Sequence, residues 1–354
     1  IPIPLPGYES KRLYVWFEAV IGYFSASIEW ANNEGAPEQW KDWWYDPTAK
    51  TYYFIGKDNI PFHAVIWPAE LIGTGRQMYE DDPSKQLNLP YDVPSNEYLN
   101  MEGKKLSTSR NWAIWMPDLL ERFDPDAIRF YLTFIAPESR DTDFTFEDFV
   151  RRNNDELVAT WGNLVNRVLG FAYKRFDGKV PQIGPAGLDE ADQQIMAEVG
   201  AGFDTVGQLL DDIKLKAALD ETLRLARATN VYLDRKAPWK SIKEDPEAAG
   251  TAIYVALQVI NNLKTLFSPF MPHTCQQLHE YLGHDDQLFG RQYTQTFSEA
   301  TRDHVALCYD GSQAVGRWES SELPIGQPLQ KPAALFKKLE PEVAEEEIAR
   351  LLEA

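Results

Sequence analysis

Three long runs of apolar residues at helical spacing fill the middle of this sequence, and a chain that carries them has to bury them against one another. From Glu156 onward, Leu157, Trp161, Leu164, Val168 and Phe171 form one stripe, because residues three and four apart share a helix face. A second runs through Leu215, Ala218, Leu219, Thr222, Leu223, Ala226, Thr229, Asn230 and Leu233, and stops at Pro238. The third spans Ala252 to Phe267, with Ile253, Ala256, Leu257, Ile260, Leu263 and Phe267 apolar, closed by Ser268-Pro269-Phe270-Met271-Pro272. Such helices suit a bundle, expected over residues 151–300. On its first helix Asn163, Arg167, Gly170 and Lys174 share another face, which aligns an amide, a guanidinium and an ammonium.

The amino-terminal part follows another pattern. Tyr52-Tyr53-Phe54-Ile55 is an aromatic and β-branched run that stops at Gly56-Lys57-Asp58, and Ile60 to Trp67 follows as a helix. In an open parallel sheet a nucleotide sits beyond such a strand end, with an acidic residue accepting from ribose hydroxyls, a position that Asp58 occupies. Leu13-Tyr14-Val15-Trp16-Phe17 is expected as a further buried strand, leading into an apolar helix through Trp30. Downstream, Gly103-Lys104-Lys105-Leu106-Ser107-Thr108-Ser109-Arg110 packs a turn residue, three cations and three hydroxyls into eight positions. That suits a loop closing over triphosphate, although a solvated basic surface has the same composition. The two strand-to-helix units before it favour the phosphate reading.

Composition sets limits. The chain has 354 residues, a net charge of −19 and two cysteines, enough length for two or three domains with proper cores and no disulfide framework. No stretch approaches a membrane span, Ile1 to Pro6 is neither signal peptide nor helix, and cytosol is the simplest compartment. The negative charge is awkward for RNA binding, which would have to rely on local clusters.

In order along the chain, Tyr14-Val15-Trp16-Phe17-Glu18-Ala19 with Gly22-Tyr23, Gly56-Lys57-Asp58 with Phe62-His63 and Trp67-Pro68, Lys105-Leu106-Ser107-Thr108-Ser109, Phe123-Asp124-Pro125-Asp126, Arg129-Phe130-Tyr131, Asn163, Arg167 and Ala237-Pro238-Trp239 resemble the later signatures of the methionyl-tRNA synthetases, a family of class I aminoacyl-tRNA synthetases. The resemblance implies an α/β then all-α architecture: the second half of a nucleotide-binding, Rossmann-like domain over 1–95, a linking unit with the Lys-Leu-Ser-Thr-Ser loop over 96–150, an anticodon-binding bundle over 151–300, and a tail with a last helix over 301–354. It also implies methionine, ATP with Mg²⁺ and a methionine tRNA with a CAU anticodon as partners. Lys105, Ser107 and Ser109 would act on the migrating pyrophosphate with Lys104 and Arg110 assisting, while Gly56 and Asp58, with Lys105, hold ATP. Trp16, Ala19, Tyr23, Phe62, His63 and Trp67 match the wall of the methionine pocket, and Asn163, Arg167 and Trp239 match the groups that face the anticodon.

Bland alternatives stand beside these roles: Trp67 as ordinary core, and Trp239 as packing for the bundle's end. Glu18 and Asp58 need not act as acid and base, because the substrate carboxylate is already the nucleophile. The acidic runs Asp81-Asp82 and Glu345-Glu346-Glu347 read as solvated faces, and His273 as a capping or packing residue. Thr108 stands where the family's loop has its second lysine. No histidine pair of the family's first signature is found, and Cys275 and Cys308 lack zinc-ligand spacing. The chain is therefore expected to be the C-terminal part of such an enzyme, without a zinc or other metal site, to associate with the missing N-terminal catalytic half, and to be inactive alone. A non-catalytic tRNA-binding fragment and a sister synthetase are the alternatives.

Overall fold

A computed structural model of the protein describes residues 2–75, 86–298 and 302–353; Asp81-Asp82 lies outside the described residues. The chain forms two compact units, one from residues 1–98, 137–141 and 296–304, the other from 99–136, 142–295 and 305–354.

In the first unit, helices α1 (Val15–Ala19), α2 (Ile21–Asn33) and α3 (Lys41–Trp44) precede strand β1 (Ile55–Gly56). A wide π-type turn over Phe62–Ile66 runs into α4 (Trp67–Gly75), and β2 (Ser95–Asn96) pairs parallel with β1, Ile55 opposite Ser95 and Gly56 opposite Asn96. A parallel bridge between Tyr52 and Asp92 extends this ladder. The core is aromatic: Phe24 meets Trp40 and Trp44 edge-on, each at 5.0 Å. Of the segment expected as a strand at 13–17, Leu13 and Tyr14 lead into α1 and the rest is its start, with Tyr14, Val15 and Phe17 more than half exposed. No strand among the described residues pairs with it, and β-forming side chains without a ladder partner do not hold a strand.

The second unit opens with a three-stranded sheet, β3 (Leu99–Met101), β4 (Lys104–Lys105) and β5 (Thr142–Phe144), with β3 central, antiparallel to β4 and parallel to β5. Helices α5 (Met116–Arg122), α6 (Pro125–Phe134) and α7 (Phe146–Arg152) accompany it. As the Asp124-Pro125-Asp126 sequence predicts, the Asp124 carboxylate caps α6 by accepting from the Asp126 N–H at 2.8 Å. The bundle follows: a π-type turn at Asn153–Gly162, then α8 (Asn163–Arg175), α9 (Glu190–Asp211), α10 (Leu215–Lys236), the short α11 (Pro238–Ser241), α12 (Pro246–Phe267) and α13 (Pro272–Tyr281). The expected stripes are buried, among them Leu157, Trp161, Leu164 and Val168, Leu219 and Leu223, Ile253 and Leu263.

This part of the chain departs from the sequence reading at α9, which no stripe announced, and at two later features. An eight-residue pair, β6 (Arg291–Ser298) and β7 (Asp303–Asp310), forms a ribbon that no pattern announced. The last helix, α14 (Glu342–Glu353), is not a uniformly solvated acidic face. Glu345 and Glu346 are exposed, but Glu347 is buried and takes both its oxygens to the Arg122 guanidinium, at 2.7 and 2.8 Å. An arginine fork matched to a carboxylate tolerates burial where a lone charge would not.

The bundle's far end is closed by a polar chain. Lys264, buried in α12, donates to Asn261 Oδ1 and to His279 Nδ1, both at 2.9 Å, and His279 Nε2 donates to Asp286 at 2.7 Å. His284 stacks on His279 at 4.1 Å with planes 4° apart. These two imidazoles and Asp286 are near enough to share a cation, but both nitrogens of His279 are spent, and a buried ammonium 2.9 Å away opposes a second positive ion. The cluster reads as a charge-bearing strut.

Burial, helped by Lys264, pulls the His279 pKa from an ordinary 6.5 to about 4. The unfolded chain therefore binds this proton first, and stability falls as pH drops through that window. At about 1.4 kcal/mol per pH unit across that window, the full loss is roughly 3 to 4 kcal/mol. Denaturant unfolding followed from pH 7 to pH 4 should show most of this loss. His279→Asn, which keeps an acceptor for Lys264 and cannot take the proton, should flatten the curve there.

Candidate functional site

The rings expected around a methionine side chain fall in two contacting groups, Trp16 with Phe62 and Tyr23 with His63 and Trp67. Phe62 stacks on Trp16 at 4.6 Å and 11°, both half-buried. The Tyr23 hydroxyl lies 2.9 Å from His63 Nε2, and His63 Nδ1 lies 2.9 Å from the Asn59 carbonyl. A carbonyl oxygen only accepts, so Nδ1 carries the hydrogen and Tyr23 donates to Nε2. Ala19 and Tyr23 are exposed, whereas His63 and Trp67 are 3% and 2% exposed. Trp16, Ala19, Tyr23 and Phe62 are thus the more accessible of the six, and His63 and Trp67 are buried. For Trp67 the core reading holds: its indole N–H donates to the Tyr53 hydroxyl at 2.9 Å inside the aromatic core. The π-type turn sets this spacing, since Phe62 and His63 are its first residues.

Beyond the ends of β1 and β2 lies a second group. Asp58 accepts a hydrogen bond from the Tyr98 phenol, and Lys57 is paired with Glu97 and lies 3.6 Å from Asp141 and 4.4 Å above the Tyr98 ring. Tyr98 N–H donates to Asp141 at 3.0 Å, and that bond, followed by the nearby Lys57, holds the Asp141 pKa down. The hydrogen bond to Glu97 raises that of Lys57. Gly56 and Asp58 are exposed here, at the carboxyl ends of two adjacent parallel strands, which is where open sheets bind ligands. Sequence reasoning missed Glu97, Tyr98 and Asp141, because only the fold brings residues some 40 positions apart to one strand end.

The basic loop is built stiffly. Glu102 and Gly103 both have positive φ, 48° and 71°, and make the two-residue turn between β3 and β4. Glycine takes that conformation freely, while Glu102 is held there by its carboxylate, which accepts from the Phe146 N–H at 2.8 Å. Ser107 and Trp112 exchange two backbone hydrogen bonds of 2.9 Å, and Asn111, in the left-handed region, closes the loop between them. The Lys104 ammonium lies 4.2 Å over the Trp112 ring, and the Ser107 and Ser109 hydroxyls are 3.2 Å apart. Lys105, Thr108, Ser109 and Arg110 are exposed around this frame.

On the bundle, α10 ends with Ala237 at φ 42°, and Pro238 restarts the chain as α11, which sets Trp239 beside α8. The Arg167 guanidinium lies 4.1 Å over the Trp239 ring and 3.2 Å from Asp234. Trp239 is half-buried, and Asn163 is exposed one helical turn before Arg167 on the same face. Lys236 anchors the end of α10 to the start of α9 through Asp189 and Asp192, at 2.6 and 2.7 Å. The three expected residues thus share one surface.

The family model described as tRNA synthetases class I (M) matches residues 1–169, and that for the anticodon binding domain of methionyl tRNA ligase matches residues 180–308. The methionine–tRNA ligases of Thermomicrobium roseum and Chloroflexus aggregans are 54% and 53% identical over 99% of this chain, which covers 59% and 60% of their lengths. The chain thus spans about three fifths of the curated relatives it matches. Among solved structures, methionyl-tRNA synthetase of Mycobacterium tuberculosis bound by methionyl-adenylate is 25% identical, with a TM-score of 0.72 over 94% of this chain and 57% of that one. With two consecutive family matches and more than half of its residues shared with named ligases, the chain belongs to the methionyl-tRNA synthetase family.

Proposed function

We propose that this chain carries the later catalytic signatures and the anticodon-binding domain of an enzyme that joins methionine to its tRNA. A carboxylate oxygen of methionine attacks the α-phosphorus of ATP, pyrophosphate leaves, and a hydroxyl of the terminal ribose of the tRNA then takes the acyl group and releases AMP. What carries the reading is the ring cluster around Tyr23 and His63, in a chain more than half identical to named methionine ligases. A flexible thioether is held mainly by aromatic contact and shape, which Trp16, Ala19, Tyr23 and Phe62 offer, backed by His63 and Trp67.

The first step needs placement and charge rather than a base. Lys105, Ser107 and Ser109 stabilise the pyrophosphate as its charge develops, with Lys104 and Arg110 assisting. Lys104, whose ammonium lies over the Trp112 ring, and Arg110, exposed on the loop, are both placed to substitute for the lysine that Thr108 replaces. Gly56 lets the nucleotide approach the strand end, and Asp58, oriented by Tyr98, accepts from the ribose. The loop 103–110 contains no carboxylate. It does not fit a Mg²⁺ cage, so an ion accompanying ATP belongs to the triphosphate and its water.

At the bundle, Trp239 stacks an anticodon base of CAU while Arg167 and Asn163 read base edges. Among the described residues no helix is long and apolar enough to cross a membrane, and we place the protein in the cytoplasm. The exposed side chains of Tyr14, Val15 and Phe17 suit association with the remaining part of the catalytic domain.

Three outcomes test this. These 354 residues alone should not support methionine-dependent ATP–pyrophosphate exchange, because half of a phosphate clamp stabilises little charge; robust exchange by the purified chain would refute that. In a full-length enzyme carrying this segment, Lys105→Ala should cost about 2 to 4 kcal/mol in adenylate formation with little change in methionine binding, while Thr108→Lys is tolerated. An equal loss of methionine affinity would place Lys105 in ground-state binding instead. Trp239→Ala should remove roughly 1 to 3 kcal/mol of tRNA recognition and leave pyrophosphate exchange intact, since that assay contains no tRNA. Parallel loss of both activities with a lower Tm would identify a packing residue.

A further inference from the structure

We propose that Tyr53 is a positioning residue that fixes the Tyr23–His63 pair, and through it sets how strictly the amino-acid side chain is selected. The inference rests on the methionine reading above. Tyr53 is 7% exposed and touches three residues of that cluster. Its hydroxyl accepts from Trp67 Nε1 at 2.9 Å, its ring meets Tyr23 edge-on at 5.0 Å and 75°, and its centroid lies 5.8 Å from His63. Its backbone N–H donates to the Asp92 carbonyl at 3.0 Å, which ties the side chain's origin to the parallel ladder.

These contacts matter because Tyr23 is 44% exposed and one side of its ring has to be held from behind. The hydroxyl of Tyr23 is anchored by His63, His63 by Asn59, and the ring tilt by the Tyr53 edge. Trp67, 6.4 Å from Tyr23, is held in turn by the Tyr53 hydroxyl. A thioether offers only a weak acceptor, so a site for it discriminates through the fit of its walls, and a wall that can tilt discriminates poorly. Phenylalanine at position 53 would keep the ring and orphan a buried indole N–H, which then has to move toward another acceptor.

The test uses the full-length enzyme carrying this segment, assayed by pyrophosphate exchange. Tyr53→Phe should raise the KM for methionine about fivefold to tenfold without a matching rise in the KM for ATP, and should lower the preference for methionine over norleucine by a similar factor. In a Trp67→Phe background, which loses indole packing as well, the same substitution should raise the methionine KM no further, because the hydrogen bond it would break is already gone. Fully additive effects, or a lower Tm with unchanged methionine KM and selectivity, would overturn the proposal. If Tyr53→Phe does not fold, Trp67→Phe removes the bond from the donor side and must give the same shifts; their absence overturns it equally. Tyr23→Phe separates the two levels. If it leaves methionine KM unchanged, the pocket reading falls and takes this proposal with it; if it shifts KM while Tyr53→Phe does not, this proposal falls alone.

Discussion

Helix α12 is surrounded by protein, and much of the second unit is arranged to satisfy it. From Ala249 to Phe267 nearly every side chain is out of water, including Gln258, Asn261, Asn262 and Lys264. Buried amides and an ammonium without partners would cost more than the helix could return. The tail answers them. Gln258 exchanges two hydrogen bonds of 2.8 Å with the backbone of Leu323, and Asn262 accepts from Ser321 N–H at 2.9 Å while donating to its carbonyl at 3.0 Å. Asn261 and His279 answer Lys264. The proline-rich tail is therefore part of the core, pinned by side-chain amides that act in place of a neighbouring strand.

That arrangement explains which elements a sequence can announce. Helices α8, α10 and α12 of the bundle were legible because a stripe of Leu, Val and Ile at helical spacing has one physical meaning, and Asp124 marks a helix start by a local hydrogen bond to the residue two positions on, whereas α9 and the first turns of α12 were not read. Gln258, Asn261 and Asn262 lie outside the apolar stripe read from the sequence, yet they are buried, and their partners lie about 60 residues away. Glu347 misleads for the same reason, its arginine being 225 positions upstream. At Val15–Ala19 the failure runs the other way: the side chains favour a strand, but a strand also needs a neighbour, and the residue pattern holds no information about that.

The candidate site divides along the same line. The loop from Gly103 to Arg110 could be singled out by its composition, and Tyr23, His63 and Trp239 by the segments that carry the family resemblance. What could not be read is how each group is held. Tyr53 beneath the ring cluster, Tyr98 on Asp58, and Trp112 under Lys104 are all aromatic residues whose role depends on a contact, not on their own reactivity.

Those aromatic contacts also bear on the net charge of −19, which at first sight speaks against any binding of phosphate. A cation among so many carboxylates tends to be neutralised by the nearest one. Lys57 meets that fate, bracketed by Glu97 and Asp141, and so is a structural cation at the strand end. Lys104 is instead placed over the face of Trp112, where the ring quadrupole steadies an ammonium without cancelling its charge. Arg167 over Trp239 uses the same device while sharing one nitrogen with an exposed carboxylate, Asp234, whose hold is screened by solvent. Stacking therefore lets an acidic chain keep its charge available at chosen points, and those points are the basic loop and the Trp239 surface.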